Sequence, residues 1–127
     1  MITADQIVCH LVGDYLLQSD WMAQNKTKNS FAAFVHVCTY ALPFLFLSPS
    51  LPTMMILMGT HFVIDRWRLA RYVVWFKNFL GPGNLSWKEC QVTGYPPNRE
   101  PWMAVWLLII ADNIIHILIN GLAFYYF

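Results

Sequence analysis

The sequence predicts an all-α fold, an integral membrane four-helix bundle forming a single transmembrane domain over residues 1–127. Three observations predict it. The chain is 57% hydrophobic and only 12% charged, whereas a soluble domain carries about 25% charged residues on its surface. Four stretches approach the ~20 residues of helix that a hydrocarbon core of ~30 Å requires. Aromatic residues make up 17% of the chain, and Trp21, Trp67, Trp75, Trp102, Tyr125 and Tyr126 lie at segment ends. Amphipathic rings favour that headgroup level.

The first helix is expected over about residues 2–18 and is weakly hydrophobic. It lacks a basic start and a small-residue cleavage site, so it does not read as a removable signal peptide. A polar connection, SDWMAQNKTKNS, leads to the second helix, 31–47, with the sequence FAAFVHVCTYALPFLFL. Pro43 should kink it. SPSLP forms a tight turn into the third helix, about 53–72. A long loop at about 78–100 follows. Gly81, Pro82, Gly83, Pro96 and Pro97 exclude a continuous helix there, leaving a lid, a binding loop or a plain surface loop. The fourth helix, about 102–126, is the longest and most apolar.

Charge sets the orientation. All eight Lys and Arg residues fall in the first connection, at the end of the third helix or in the third connection. With four spans those places share one side, which the positive-inside rule makes cytoplasmic. The expected location is the bacterial inner membrane, multi-pass, with both termini outside. A net charge of +1 gives no electrostatic case for nucleic acid. Cys9, Cys38 and Cys90 have no disulfide or metal-site spacing and read as spectator thiols.

The chemistry lies in the polar residues inside the spans. His10 and Asp14, His61 and Asp65, and Asp112 and His116 are i,i+4 pairs, and His36 stands on the second helix. That spacing puts both members of a pair on one helix face. An aspartate at the centre of a membrane helix costs roughly 2.5–3.5 kcal/mol, so these groups must face inward and be paired, protonated or metal-bound. Their depths agree, which predicts one shared cluster. Imidazole and carboxylate together suit a divalent transition metal, zinc first and iron or manganese next. The metal set is His10, Asp14, His36, His61, Asp65, Asp112 and His116, with Asp14, Asp65 and Asp112 as catalytic candidates. Gln18, Tyr40 and Asn120 extend the stripes and are placed to hydrogen-bond ligating histidines. A proton relay and plain interhelical hydrogen bonding compete with the metal. Lys26, Arg66 and Arg68 are candidates for binding headgroups or phosphates, with interfacial anchoring the alternative for the arginines.

These residues carry a resemblance. HLVGDYLLQSDWMAQNK, with His10, Asp14, Gln18, Asp20, Trp21 and Lys26, resembles the opening signature of a family of small bacterial and phage membrane proteins. That family is catalogued as domain of unknown function 3307. THFVIDRWRL, with His61, Asp65 and Arg66, resembles its third-helix motif. ADNIIHIL, with Asp112 and His116, resembles its last motif, where the family often has Asp-Gln in place of Asp112-Asn113. His36 matches a histidine near the start of its second helix. The likeness spans nearly the whole chain and implies no established activity. The His-x-x-x-Asp helices are also similar, in chemistry alone, to those of membrane-bound metal-dependent hydrolases.

The function expected is a metal-binding membrane protein, a metal-dependent hydrolase acting on a lipid or amphiphilic substrate. One alternative is a metal-ion or proton transporter or channel, which would need a homo-oligomer to enclose a pore. The other is a phage or bacterial interaction protein with a structural metal.

Overall fold

The computed structural model describes residues 1–83 and 85–127. It is all-helical, with no strand among the described residues. The elements are α1 (Ala4–Leu11), running into a π-helical turn (Val12–Leu16), then α2 (Asp20–Asn25) and α3 (Ser30–Ala41), which runs into a 3-10 turn (Pro43–Leu47). They continue with α4 (Leu51–Trp67), α5 (Ala70–Phe79), α6 (Trp87–Cys90) and α7 (Pro101–Tyr126). The chain divides into two compact units: Met1–Arg68 with His116–Phe127, and Leu69–Ile115.

In the first unit, local chemistry sets the helix ends. Thr3 and Gln6 form a capping box at the start of α1, satisfying two backbone donors reciprocally. Ser19, Asn29 and Ser50 each accept a backbone N–H at the start of α2, α3 and α4. The α3 helix ends where Pro43 supplies no N–H, and the chain tightens to 3-10 geometry. Ser48 then turns left-handed, at φ 48°. Cys9, Tyr40, Phe44 and Leu57 form the apolar core, with Leu47, Met54 and Phe124 against it. Gly13 allows a close helix approach: a Cβ there would meet the Tyr40 carbonyl oxygen at 2.7 Å and its ring at 2.8 Å. On α4, Gly59 opens instead onto a shallow apolar groove of about 530 Å³, beside Met55, Ile56, Thr60, Val63, Ile64 and Ile119.

The third helix ends earlier than its hydrophobicity predicts. It stops at Trp67 rather than near 72, because Arg68 adopts a left-handed conformation, φ 52°. That cap satisfies the carbonyls of Ile64 and Asp65. The first helix is shorter than the expected 2–18, and the polar connection after it carries the extra helix α2.

In the second unit the loop around 78–100 is held down on α5, with residue 84 outside the described residues. Trp75 donates to the Leu85 carbonyl at 3.0 Å, Arg71 to that of Gln91 at 2.9 Å and Asn78 to that of Gly94 at 2.9 Å. The Tyr72 ring stacks on Trp87 with 4.4 Å between centroids, and the Arg71 guanidinium lies over the same indole.

Two helical stretches are long and apolar enough to cross a membrane: Ser30–Leu47 and Pro101–Tyr126. Many large apolar side chains point outward, among them Phe34, Leu42, Phe46, Met55, Leu118 and Leu122, while His10, His36, His61 and His116 are fully buried.

Candidate metal centre

The centre lies in the first unit, where three elements converge. The π turn supplies Asp14, α3 supplies His36, and α4 supplies His61 and Asp65. All four residues are buried. His36 Nε2 lies 3.0 Å from His61 Nε2, 3.1 Å from Asp14 Oδ1 and 3.1 Å from Asp65 Oδ2. His61 Nε2 lies 3.6 Å from Asp14 Oδ1 and 3.2 Å from Asp65 Oδ2. The four atoms all fall within 4.8 Å of one another. Zinc–nitrogen and zinc–oxygen bonds of about 2.0–2.1 Å in a tetrahedron set ligand–ligand edges of roughly 3.3–3.4 Å. The five measured edges bracket that value, so the cluster can hold a metal ion.

Within the protein Asp65 Oδ2 and Asp14 Oδ1 have an ion-pair partner in Lys26 Nζ, at 2.7 and 3.5 Å, but their hydrogen bonding is poor. Asp14 Oδ1 and Asp65 Oδ2 are buried without a hydrogen bond of acceptable geometry among the described residues. Two imidazole Nε2 atoms face each other at 3.0 Å, and such a pair needs a proton or a cation between them. A buried acceptor without a donor costs about 1–3 kcal/mol, more if charged. A cation at the centre of the four atoms would satisfy all of them together.

The π turn explains how Asp14 gets there. In a regular α-helix Asp14 would stack one turn from His10. Leu17 N–H instead bonds five residues back, to the Val12 carbonyl at 2.9 Å, and this wider turn rotates the following residues. Asp14 Oδ2 is left 3.9 Å from His10 Nε2, and Oδ1 turns toward α3 and α4. The i,i+4 pair of α4 does meet directly, at 3.2 Å.

A second tier surrounds the donors. His116 Nε2, on α7, lies 3.3 Å from Asp65 Oδ1. The His61 ring is sandwiched between Tyr40, at 3.7 Å, and His116, at 4.1 Å. Tyr40 hydroxyl lies 3.1 Å from His10 Nδ1 and accepts from Asn120 Nδ2 at 2.7 Å. Tyr40 and Asn120 thus hydrogen-bond beside His10, which is not one of the four central donors. Gln18 Oε1 is buried and accepts no hydrogen bond among the described residues. Asp112 is half-buried, four residues before His116 on α7, within the second unit.

Lys26 stands elsewhere than its sequence context predicts. It is not on a basic rim. Its Nζ lies 2.7 Å from Asp65 Oδ2, 3.2 Å from His36 Nε2 and 3.5 Å from Asp14 Oδ1. Nothing in the polar stretch SDWMAQNKTKNS separates Lys26 from Lys28, which is exposed. Arg66 is likewise engaged within the unit, donating to the Thr27 carbonyl at 2.7 Å and to Ser30 Oγ at 3.3 Å. Arg68 supplies the left-handed cap of α4. The cysteines are free thiols, and Cys9 Sγ donates to the Pro43 carbonyl at 3.4 Å.

Fold and site together define an all-helical protein with a buried histidine–aspartate donor set and two helices able to cross a membrane. The chain belongs to the family described as protein of unknown function DUF3307, whose model matches residues 2–126. No curated protein and no solved structure matches it.

Proposed function

We propose that this chain is a multi-spanning membrane protein that holds a divalent transition metal, zinc by its donor chemistry, and uses it to hydrolyse a lipid or amphiphilic substrate. The observation that carries the reading is the set of four buried donor atoms at tetrahedral spacing, Asp14 Oδ1, His36 Nε2, His61 Nε2 and Asp65 Oδ2. Mixed nitrogen and oxygen donors suit zinc, which imposes no other geometry.

The bilayer is supported by the inverted distribution of polarity, with ionisable groups inside and large apolar groups outside. Four spans with both termini outside would place the basic first connection in the cytoplasm. The α1 helix and its π turn cover Ala4–Leu16, about 20 Å at 1.5 Å per residue. The bilayer would have to thin locally around them.

Bound metal would polarise a carbonyl or phosphoryl oxygen and lower the pKa of a water to about 7. For that the donor set must open one corner. Asp14 is the donor placed to yield, because it stands on a π turn, a geometry associated with functional sites. Once released from the corner its carboxylate can accept a proton. Asp65 is fixed by His36, His61 and His116 and stays as anchor. Asp112 is the remaining acid carried forward as a catalytic candidate.

One observation favours a second reading. Four protein donors close a tetrahedron, and closed sites are structural. A phage or bacterial membrane interaction protein would then use the metal only to hold its helices together.

Metal analysis of freshly purified protein in detergent tests the proposal, with about one equivalent of zinc expected. Protein that carries no metal and takes up none would overturn it. A panel of acyl esters and phosphoesters in mixed micelles separates the two readings. Turnover that disappears in Asp14→Asn supports hydrolysis, and metal without turnover supports the structural role.

A further inference from the structure

Lys26 is a strongly basic side chain that reaches into the cluster of carboxylates. Its Nζ faces three of the four donor atoms, at 2.7, 3.2 and 3.5 Å. It therefore caps one face of the donor tetrahedron. Its side chain keeps 16% of its surface accessible, against 5% or less for the donors it touches. It is the cluster's link to the outside. The ammonium is a compact point charge on a flexible four-carbon stem, so it can leave without moving a helix. It enters from the end of α2, a six-residue helix in a polar connection.

We infer that Lys26 is a tethered cation that holds the donor set when no metal is bound, and that metal enters by displacing it. The inference rests on the metal reading above. Two buried carboxylates facing each other repel, and they require a positive partner in either state. In the metal-free state the ammonium supplies that charge. A divalent ion among the same four donors would repel an ammonium that touches three of them, so the side chain swings outward along its accessible side. Metal binding is then an exchange of cations, and the affinity measured is the difference between two occupants. The ammonium keeps the empty site from collapsing and sets a threshold that weakly held divalent ions do not pass.

The test is zinc titration of the metal-free, full-length protein in detergent. Lys26→Met removes the competitor but keeps the length of the apolar stem. Zinc affinity should rise at least tenfold, equivalent to about 1.4 kcal/mol. Lys26→Arg keeps a cation on the donors and should stay nearer wild type than Lys26→Met. Lys28→Met, at an exposed position, should match wild type. If Lys26→Met folds only with zinc present, its recovery by zinc supports the exchange, whereas misfolding that zinc does not rescue overturns it. Amine acetylation read by mass spectrometry supplies a second measure. Lys26 labelling relative to Lys28 should increase several-fold when wild type is loaded with zinc. Unchanged affinity in Lys26→Met, or labelling indifferent to zinc, would overturn the inference while leaving the metal site standing. If neither wild type nor any variant binds zinc, the metal reading itself falls.

Discussion

Replacing Gly13 with alanine should destabilise the first unit by about 1 kcal/mol, while the same change at Gly59 should stabilise it slightly. A Cβ on Gly13 would lie 2.7 Å from the Tyr40 carbonyl oxygen, 2.8 Å from its ring and 3.1 Å from its Cα. Two of those three atoms are backbone, so α3 must move away by roughly half an ångström. Overpacking of this kind costs about 1–3 kcal/mol, and helical alanine gives back about 0.5–1 kcal/mol. Gly59 has nothing within 4 Å of its added Cβ, so only the helix gain applies. The assay is thermal unfolding in detergent followed by circular dichroism. At a few degrees per kcal/mol for a chain of this size, Gly13→Ala should lower Tm by about 3–6 °C and Gly59→Ala raise it by a few degrees. Because Asp14 follows Gly13 directly, only Gly13→Ala should also weaken zinc binding. Equal shifts for the two variants would refute the close-approach argument, as would an unchanged Tm for Gly13→Ala.

Asp65→Asn should lose most of its bound metal, because it removes the carboxylate shared by Lys26, His36, His61 and His116. Metal removal with EDTA should lower the Tm of wild type but leave that of Asp65→Asn unchanged. Tyr40→Phe should cost about 1–3 kcal/mol in thermal unfolding, since it leaves His10 Nδ1 and Asn120 Nδ2 buried without the hydroxyl they share; a neutral result would mean that water replaces it. In a background without native cysteines, Lys28→Cys and Ser50→Cys should label from opposite sides of intact vesicles, and labelling of both from one side would end the four-span topology.

Much of the centre is legible in the sequence because its cost is. Ionisable groups in apolar helices have to converge, and His36, His61 and Asp65 do so as their spacing and depth predict. Three features escape that reasoning, each for a physical reason. The π turn at Val12–Leu16 has no composition signal, yet it carries Asp14, whose one oxygen lies 3.1 Å from His36 and the other 3.9 Å from His10. Lys26 sits in a polar stretch whose residues have no periodic face, so only the folded chain shows which lysine turns inward. The break after Trp67 lacks the usual Gly or Pro, because Arg68 itself adopts the left-handed cap. The long helices follow from hydrophobicity, whereas the turn of one lysine into the centre depends on contacts made far along the chain.

The division of the chain also bears on its biogenesis. Asp14, Lys26, His36, His61 and Asp65 all lie before Arg68, the last residue of the first unit's N-terminal stretch. A ribosome therefore completes the whole donor set, with the lysine that neutralises it, before the second unit is made. Lys26 is already translated when Asp65 leaves the tunnel. His116 and Asn120 arrive last, and add Asp65's outer partner and the prop for Tyr40 to donors already synthesised. The translation order thus sets Lys26, His36 and His61 ahead of Asp65, the acid they surround.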